Sequence, residues 1–162
     1  MYKILRDEVL TDNIFLMEIE APRVAKTCLP GQFVIVRSDA DAERIPLTIC
    51  DYSREKGTVT IVFQIVGAGS LMLSKLKAGD SVHDFVGPLG KPSELTEMPE
   101  DELKQKKILF VAGGVGTAPV YPQVKWLKEH GVDADVIVGS KTKSLLIMED
   151  MMKEVAGGLY IT

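Results

Sequence analysis

The sequence is poor in the residues that build metal centres. It has two cysteines, Cys28 and Cys50, and two histidines, His83 and His130, in 162 residues. Two thiols alone cannot ligate a structural zinc or an iron–sulfur cluster. They can form one disulfide, but the expectation is two separate reduced thiols in a cytoplasmic protein. Neither histidine stands near a second histidine, a cysteine or a nucleophile pattern, so both read as structural or surface groups, and no catalytic general base is expected. Positive charge is also scarce. Nineteen Lys and Arg against 23 Asp and Glu leave a net charge of -4 and a pI near 5.2, which argues against nucleic acid as the main partner. No apolar run approaches the roughly 20 residues of a membrane-spanning helix. The first ten residues, MYKILRDEVL, carry charges inside their apolar stretch, unlike a signal peptide. There is no internal repeat and no low-complexity tract.

What the chain does have is glycine placed after apolar runs. Ile108 to Ala112 is continuously apolar, the pattern of a strand buried on both faces of a parallel sheet. Gly113, Gly114 and Gly116 follow, then a helix of about 118–130 with Pro119 and Pro122 near its start and Gly131 at its end. Strand, glycine turn and helix set backbone N–H groups and a positive helix end against a phosphate. The spacing is Gly-Gly-x-Gly rather than the dinucleotide fingerprint, so a plain tight turn stays open as the alternative. A second strand is expected at 135–138, a helix from Ser144 to about Val155, and a third strand at 159–162. Three parallel strands joined by right-handed crossovers stack in the order 3-2-1 and leave the first strand with an open edge. The expectation is that the chain is a fragment, or that a partner or a second copy covers that edge.

Residues 1–87 read as β. Strands are expected at 2–10, 13–20, 32–37, 44–50, 58–66 and 81–86, with turns at Thr11-Asp12-Asn13, Pro30-Gly31 and 51–57. Short strands so closely spaced suggest a small barrel or sandwich. One short helix interrupts them, Leu71 to Lys77, with Ser70 as its N-cap. A compositional shift at 91–107 marks a boundary, dividing the chain into residues 1–98 and 99–162.

Two further stretches carry chemistry. In Arg44-Ile45-Pro46-Leu47-Thr48, Arg44 supplies a forked donor suited to a pyrophosphate, Pro46 fixes the backbone, and Thr48 offers a hydroxyl to a ring or ribityl group. The bland alternative is an edge strand with an exposed arginine. Gly67-Ala68-Gly69-Ser70 offers backbone N–H groups at a helix start; the alternative is an ordinary strand-to-helix turn. Lys141 and Lys143 follow the second strand of the nucleotide module, where they either meet an adenosine ribose or its 2′-phosphate or are solvated loop lysines. Met148, Met151 and Met152 read as packing, and Trp126 covers the sheet or faces a partner.

Taken in order, the three motifs resemble the ferredoxin–NADP reductase superfamily. Arg44-x-Pro46-Leu47-Thr48 matches its flavin motif, Gly67-x-Gly69-Ser70 its flavin-phosphate turn, and Gly113 to Pro119 its pyridine-nucleotide turn. The resemblance covers essentially the whole chain. It is nearest to a branch holding the electron-transfer subunit of dihydroorotate dehydrogenase and the small subunit of NADH-dependent reduced ferredoxin:NADP oxidoreductase, also called the sulfide dehydrogenase subunit. GPLGKP, FVAGGVGTAPVYP and LLIMEDMM look closest to the second.

The resemblance implies a β barrel plus α/β fold: an antiparallel FAD-binding barrel, then an incomplete three-strand Rossmann-like module for NAD(P)H. It implies that Arg44, Pro46, Leu47 and Thr48 contact the flavin, and that Val62, Phe63 and Gln64 line its ribityl and adenine side. Gly67, Gly69 and Ser70 would hold the pyrophosphate. Gly113, Gly114, Val115, Gly116, Thr117 and Pro119 would meet the nicotinamide nucleotide. Dihydroorotate subunits often carry arginine where Gln64 stands. Longer relatives add two strands and a cysteine cluster for a [2Fe–2S] centre, whose ligands this sequence lacks. The implied function is a flavoprotein electron-transfer subunit working with an iron–sulfur or flavin redox partner. Two alternatives remain: a non-catalytic interaction module, with FAD structural or absent, and, as a second enzyme reading, a dihydroorotate dehydrogenase electron-transfer subunit.

Overall fold

A computed structural model describes residues 1–162. Seven antiparallel strands form a nearly closed barrel: β1 (Tyr2–Thr11), β2 (Ile14–Glu20), β3 (Phe33–Arg37), β4 (Ile45–Ser53), β5 (Thr58–Gln64), β6 (Ser81–Val82) and β7 (Asp84–Leu89). They are ordered β6-β1-β2-β5-β4-β3-β7. The two ends of that order are neighbours in sequence, parted by His83 alone. One bent segment therefore pairs with β1 through Val82 and with β3 through Asp84 to Leu89, which leaves almost no free edge. Alternate residues of β2, β3, β4 and β5 point inward. Met17, Ile19, Val34, Val36, Ile49, Ile61 and Phe63 fill the interior with Phe85 and Leu73.

Two helices belong to the barrel. The first, α1 (Pro22–Thr27), starts on a proline that has no N–H to satisfy and buries Val24 and Ala25. Sequence reading placed no helix here, because six residues hold too little periodicity to show one. The second, α2 (Ala68–Ser74), starts three residues earlier than expected. Its N-cap is Gly67, and Ser70 works from the third helical position: its Oγ accepts from Val66 N–H at 2.8 Å and Gly67 N–H at 3.1 Å.

The polar stretch at 91–107 is not a bare linker. It holds a 3-10 turn at Glu94–Glu97 and a helix, α3 (Glu100–Lys104), whose Leu103 is fully buried. Beyond it lie β8 (Ile108–Gly113), α4 (Thr117–Glu129), β9 (Ala134–Gly139), α5 (Glu149–Val155) and β10 (Gly158–Ile161). The three strands are parallel, in the order β10-β9-β8. The last helix is shorter than expected. A 3-10 turn occupies Lys143–Leu145, and Met148 takes a left-handed conformation (φ 58) before α5 begins.

The expectation that β8 is buried on both faces is not met. Its burial alternates: Phe110 packs against the cluster that holds α4 and α5 and Ala112 is buried, while Leu109 is 56% and Val111 71% exposed. Both helices lie on one side, so the other face, with Leu109 and Val111 in register with Asp135 and Ile137, is open. An apolar run marks a buried strand only when both faces are covered.

Barrel and α/β module share a core. Ile14, Leu16, Cys50 and Val62 from the barrel pack with Ala118, Tyr121 and Val124 of α4 and with Val136, Val138, Met148 and Met152. Lys125 Nζ donates to Asp51 Oδ1 at 2.8 Å across the same joint, clasping α4 to β4.

Candidate functional site

β4 changes partner halfway along its length, and this positions the first motif. Ile45 to Thr48 pair with β3, whereas Ile49 to Ser53 pair with β5. The β4–β5 ladder ends at Ile49–Ile61, while β5 runs on beside β2 to Gln64. The two strands diverge there and leave a wedge between Arg44–Thr48 and Val62–Gln64. Strand periodicity puts Arg44, Pro46 and Thr48 on the outer side and Ile45 and Leu47 against the barrel core. Pro46 stands where β4 has a neighbour on one side only, the setting in which a residue without an N–H is tolerated.

The same alternation sorts the β5 residues. Phe63 points into the barrel, 2% exposed and stacked on Phe15 with ring centroids 5.8 Å apart. Val62 points the other way, into the core shared with α4. Both side chains are committed to packing, so only their backbone is open to a ligand. Gln64 continues the Val62 face by one step and reaches the glycine turn, sharing a cleft of about 480 Å³ with Asn13, Gly113, Gly114, Val115 and Lys141. The cleft opens at the carboxyl ends of β8 and β9, where parallel sheets place their ligands.

The turn itself fits a ligand. Gly114 has φ +55, where a side chain is strained, and an added Cβ at Gly114 or Gly116 would meet nothing within 4 Å. Thr117 opens α4 and is 1% exposed, yet its Oγ1 has no hydrogen-bond partner. A buried hydroxyl without a partner is costly. This orphan beside bare glycines at the start of a 13-residue helix suits an incoming polar group.

Around the barrel motif, charge is already balanced by the chain. Gly69 N–H donates to Glu43 Oε1 at 2.8 Å, which brings the carboxylate next to Arg44 onto the α2 turn. Arg44 is 60% exposed and its Nη2 lies 3.4 Å from Asp84 Oδ2. Asp84 also accepts from His83 Nδ1 at 2.9 Å and lies 2.7 Å from Arg37 Nε, a charge contact outside hydrogen-bond geometry. The hydrogen bond from His83, then Arg37, holds the Asp84 carboxyl below its usual range. His83 is thus a structural group of the barrel seam. Ser70 Oγ is occupied within the turn, where it also donates to Gly67 O at 3.1 Å, so its free contribution to a ligand is backbone. Trp126 stacks on His130 at 3.9 Å. Lys141 and Lys143 border a second cleft of about 510 Å³ with Ser140, Thr142 and Glu149. A separate groove of about 410 Å³ between α1 and β7 holds none of the motif residues. Sequence reading missed Glu43 and Asp84; an acidic residue in a polar loop shows no pattern that points to its partner.

A nearly closed antiparallel barrel, joined through a shared core to parallel strands whose glycine turn faces it, is the fold of the ferredoxin–NADP reductase-like flavoproteins, and this chain has that fold. The ferredoxin–NADP⁺ reductase of Plasmodium falciparum shares it with a TM-score of 0.77 at 16% identity, over 99% of this chain and 69% of that one. The kinship is nearer elsewhere. The structure of NADH-dependent reduced ferredoxin–NADP oxidoreductase, solved for insight into flavin-based electron bifurcation, matches with a TM-score of 0.87 at 38% identity, over 99% of this chain and 56% of that one.

In sequence, a Thermotoga maritima homolog of the dihydroorotate dehydrogenase B electron-transfer subunit is 39% identical over 160 residues, 99% of this chain and 54% of the relative. An uncharacterized Clostridium beijerinckii protein in the adh 3′ region is 60% identical over 162 residues, 100% of this chain and 55% of the relative. No protein-family model matches. The chain spans about half the length of the curated relatives it matches.

Proposed function

We propose that this chain is the FAD- and NAD(P)H-binding portion of a flavoprotein electron-transfer subunit, passing reducing equivalents from a reduced nicotinamide through FAD to an iron–sulfur partner. The wedge carries this reading. Arg44, Pro46 and Thr48 stand on one side of it and Gln64 on the other, Gln64 shares its cleft with the bare glycine turn, and the helix after that turn opens on Thr117 with its unpartnered hydroxyl. The named relatives, dihydroorotate dehydrogenase B electron-transfer subunits and an NADH-dependent oxidoreductase, are redox proteins and support it.

In this reading residues 1–98 hold FAD and 99–162 the nucleotide. Arg44 pairs with the cofactor's pyrophosphate, Gly67 leaves open space for its approach, Gly69 gives it a backbone N–H, and Thr48 bonds the ring or ribityl chain. Leu47, Val62 and Phe63 shape the wedge from behind. Gly113 to Gly116 let the nucleotide approach the backbone, and the Thr117 hydroxyl orients it. When bound, FAD supplies two-electron uptake and single-electron release, and no side chain acts as a general base. The setting is cytoplasmic, with a redox partner subunit.

A test is anaerobic addition of NADH, and separately NADPH, to the FAD-loaded chain. Loss of the flavin band is expected; a bound flavin that neither nucleotide bleaches would overturn the nucleotide half. The interaction-module reading rests on one observation, the open apolar face of Leu109 and Val111. Flavin-independent self-association, read by analytical ultracentrifugation, would favour it.

A further inference from the structure

The most unusual contact near the wedge is made by Glu43, the residue before the arginine. Its carboxylate crosses from the loop ahead of β4 to the α2 turn and accepts the Gly69 N–H at 2.8 Å. The three heavy atoms nearest to a Cβ built on Gly69 all belong to Glu43, the closest at 2.6 Å. Glu43 thus covers the Cβ side of the buried Gly69, although Glu43 itself is an exposed residue. At neighbouring Gly67 nothing lies within 4 Å. The other arm of the cradle is handled alike: Arg44 leans on the Asp84 carboxylate at 3.4 Å. Two carboxylates of the chain thus occupy the donors assigned above to a pyrophosphate.

We infer that Glu43 is a built-in anionic competitor for the diphosphate end of the cofactor, so that cofactor binding is an exchange in which the Glu43 carboxylate leaves the Gly69 N–H and a phosphate oxygen takes it. The inference rests on the FAD reading above and deepens it. Two anions cannot share one N–H at hydrogen-bond distance, and each raises the electrostatic cost of the other. Self-occupation satisfies the turn while it is empty and lowers affinity by the free energy of the contact that must break. Glu43 thereby sets how readily the chain acquires and releases its cofactor. Its effect is confined to ligands that carry phosphate.

The test compares wild type with Glu43→Gln, which keeps the shape and removes the charge. Affinities of the cofactor-stripped chain are measured for FAD, for riboflavin, which has no phosphate, and for inorganic pyrophosphate, with circular dichroism to verify that both chains fold. Because hydrogen bonds to charged groups are the stronger ones, the variant is expected to bind FAD about tenfold more tightly. Pyrophosphate should follow the same direction and riboflavin should be unchanged. If wild type binds FAD and the variant binds it no better, or gains equally for riboflavin, the exchange is refuted while the FAD reading stands. If neither chain binds FAD in any form, the FAD reading fails and the exchange falls with it.

Discussion

Thr117→Val separates what the fold wants from what the site wants. The Thr117 side chain is 1% exposed and its hydroxyl has no partner, so it contributes desolvation cost without a compensating bond. Valine has nearly the same shape and β-branching and removes only the hydroxyl's polarity. Burying an unpaired hydroxyl costs roughly 1–3 kcal/mol, so the variant should stabilise the cofactor-free chain by about 1 kcal/mol, taking the lower end. For a chain of this size that is a rise of about 2–4 °C in melting temperature. The same change removes a ligand hydrogen bond of about 0.5–1.5 kcal/mol, which weakens nucleotide binding by roughly 2- to 10-fold. Thermal melts of the cofactor-free chain and NADH titrations of the FAD-loaded chain read the two effects separately. A lower melting temperature would mean the hydroxyl is already bonded in the fold. A raised one with unchanged nucleotide affinity would mean the hydroxyl does not reach the ligand.

Other consequences are simpler. Lys125→Met breaks the half-buried clasp to Asp51 while keeping the aliphatic stem; it should cost a few tenths to about 1 kcal/mol in chemical denaturation, since partly exposed pairs contribute little. Both thiols are buried and free, and burial pushes Cys28 up to about 11 and Cys50 higher still. A thiol reagent at pH 8 should therefore label neither in the native chain within minutes and both in denaturant. The stability that comes from keeping Cys28 protonated is complete below its unfolded value near 9 and is lost as pH rises from there toward 11, which denaturation at pH 8 and 10 would show.

The strands of the barrel and the parallel order β10-β9-β8 were legible because apolar spacing and turn residues report local geometry. What stayed hidden depends on distant partners. Gly69 and Ser70 announce a turn, but not that Glu43, 26 residues earlier, would cover it. The Arg44–Thr48 motif shows donors, whereas the wedge that exposes them arises from β4 changing partner at Ile49. The apolar run at 108–112 tells that β8 lies in a sheet, not that helices cover one face only. Phe63 and Gln64 stand side by side in sequence, and only the pleat sends one into the core and the other to the cleft.

The most direct measurement is the visible spectrum of the purified chain after incubation with FAD and removal of the excess, alongside Arg44→Ala. The account predicts a flavin band at one FAD per chain in wild type. In the variant, affinity should fall by about tenfold or more, because a charge-assisted contact at the pyrophosphate is gone. A wild-type chain that retains no flavin, or an Arg44→Ala chain that retains it equally well, would contradict the assignment of the wedge as the FAD site.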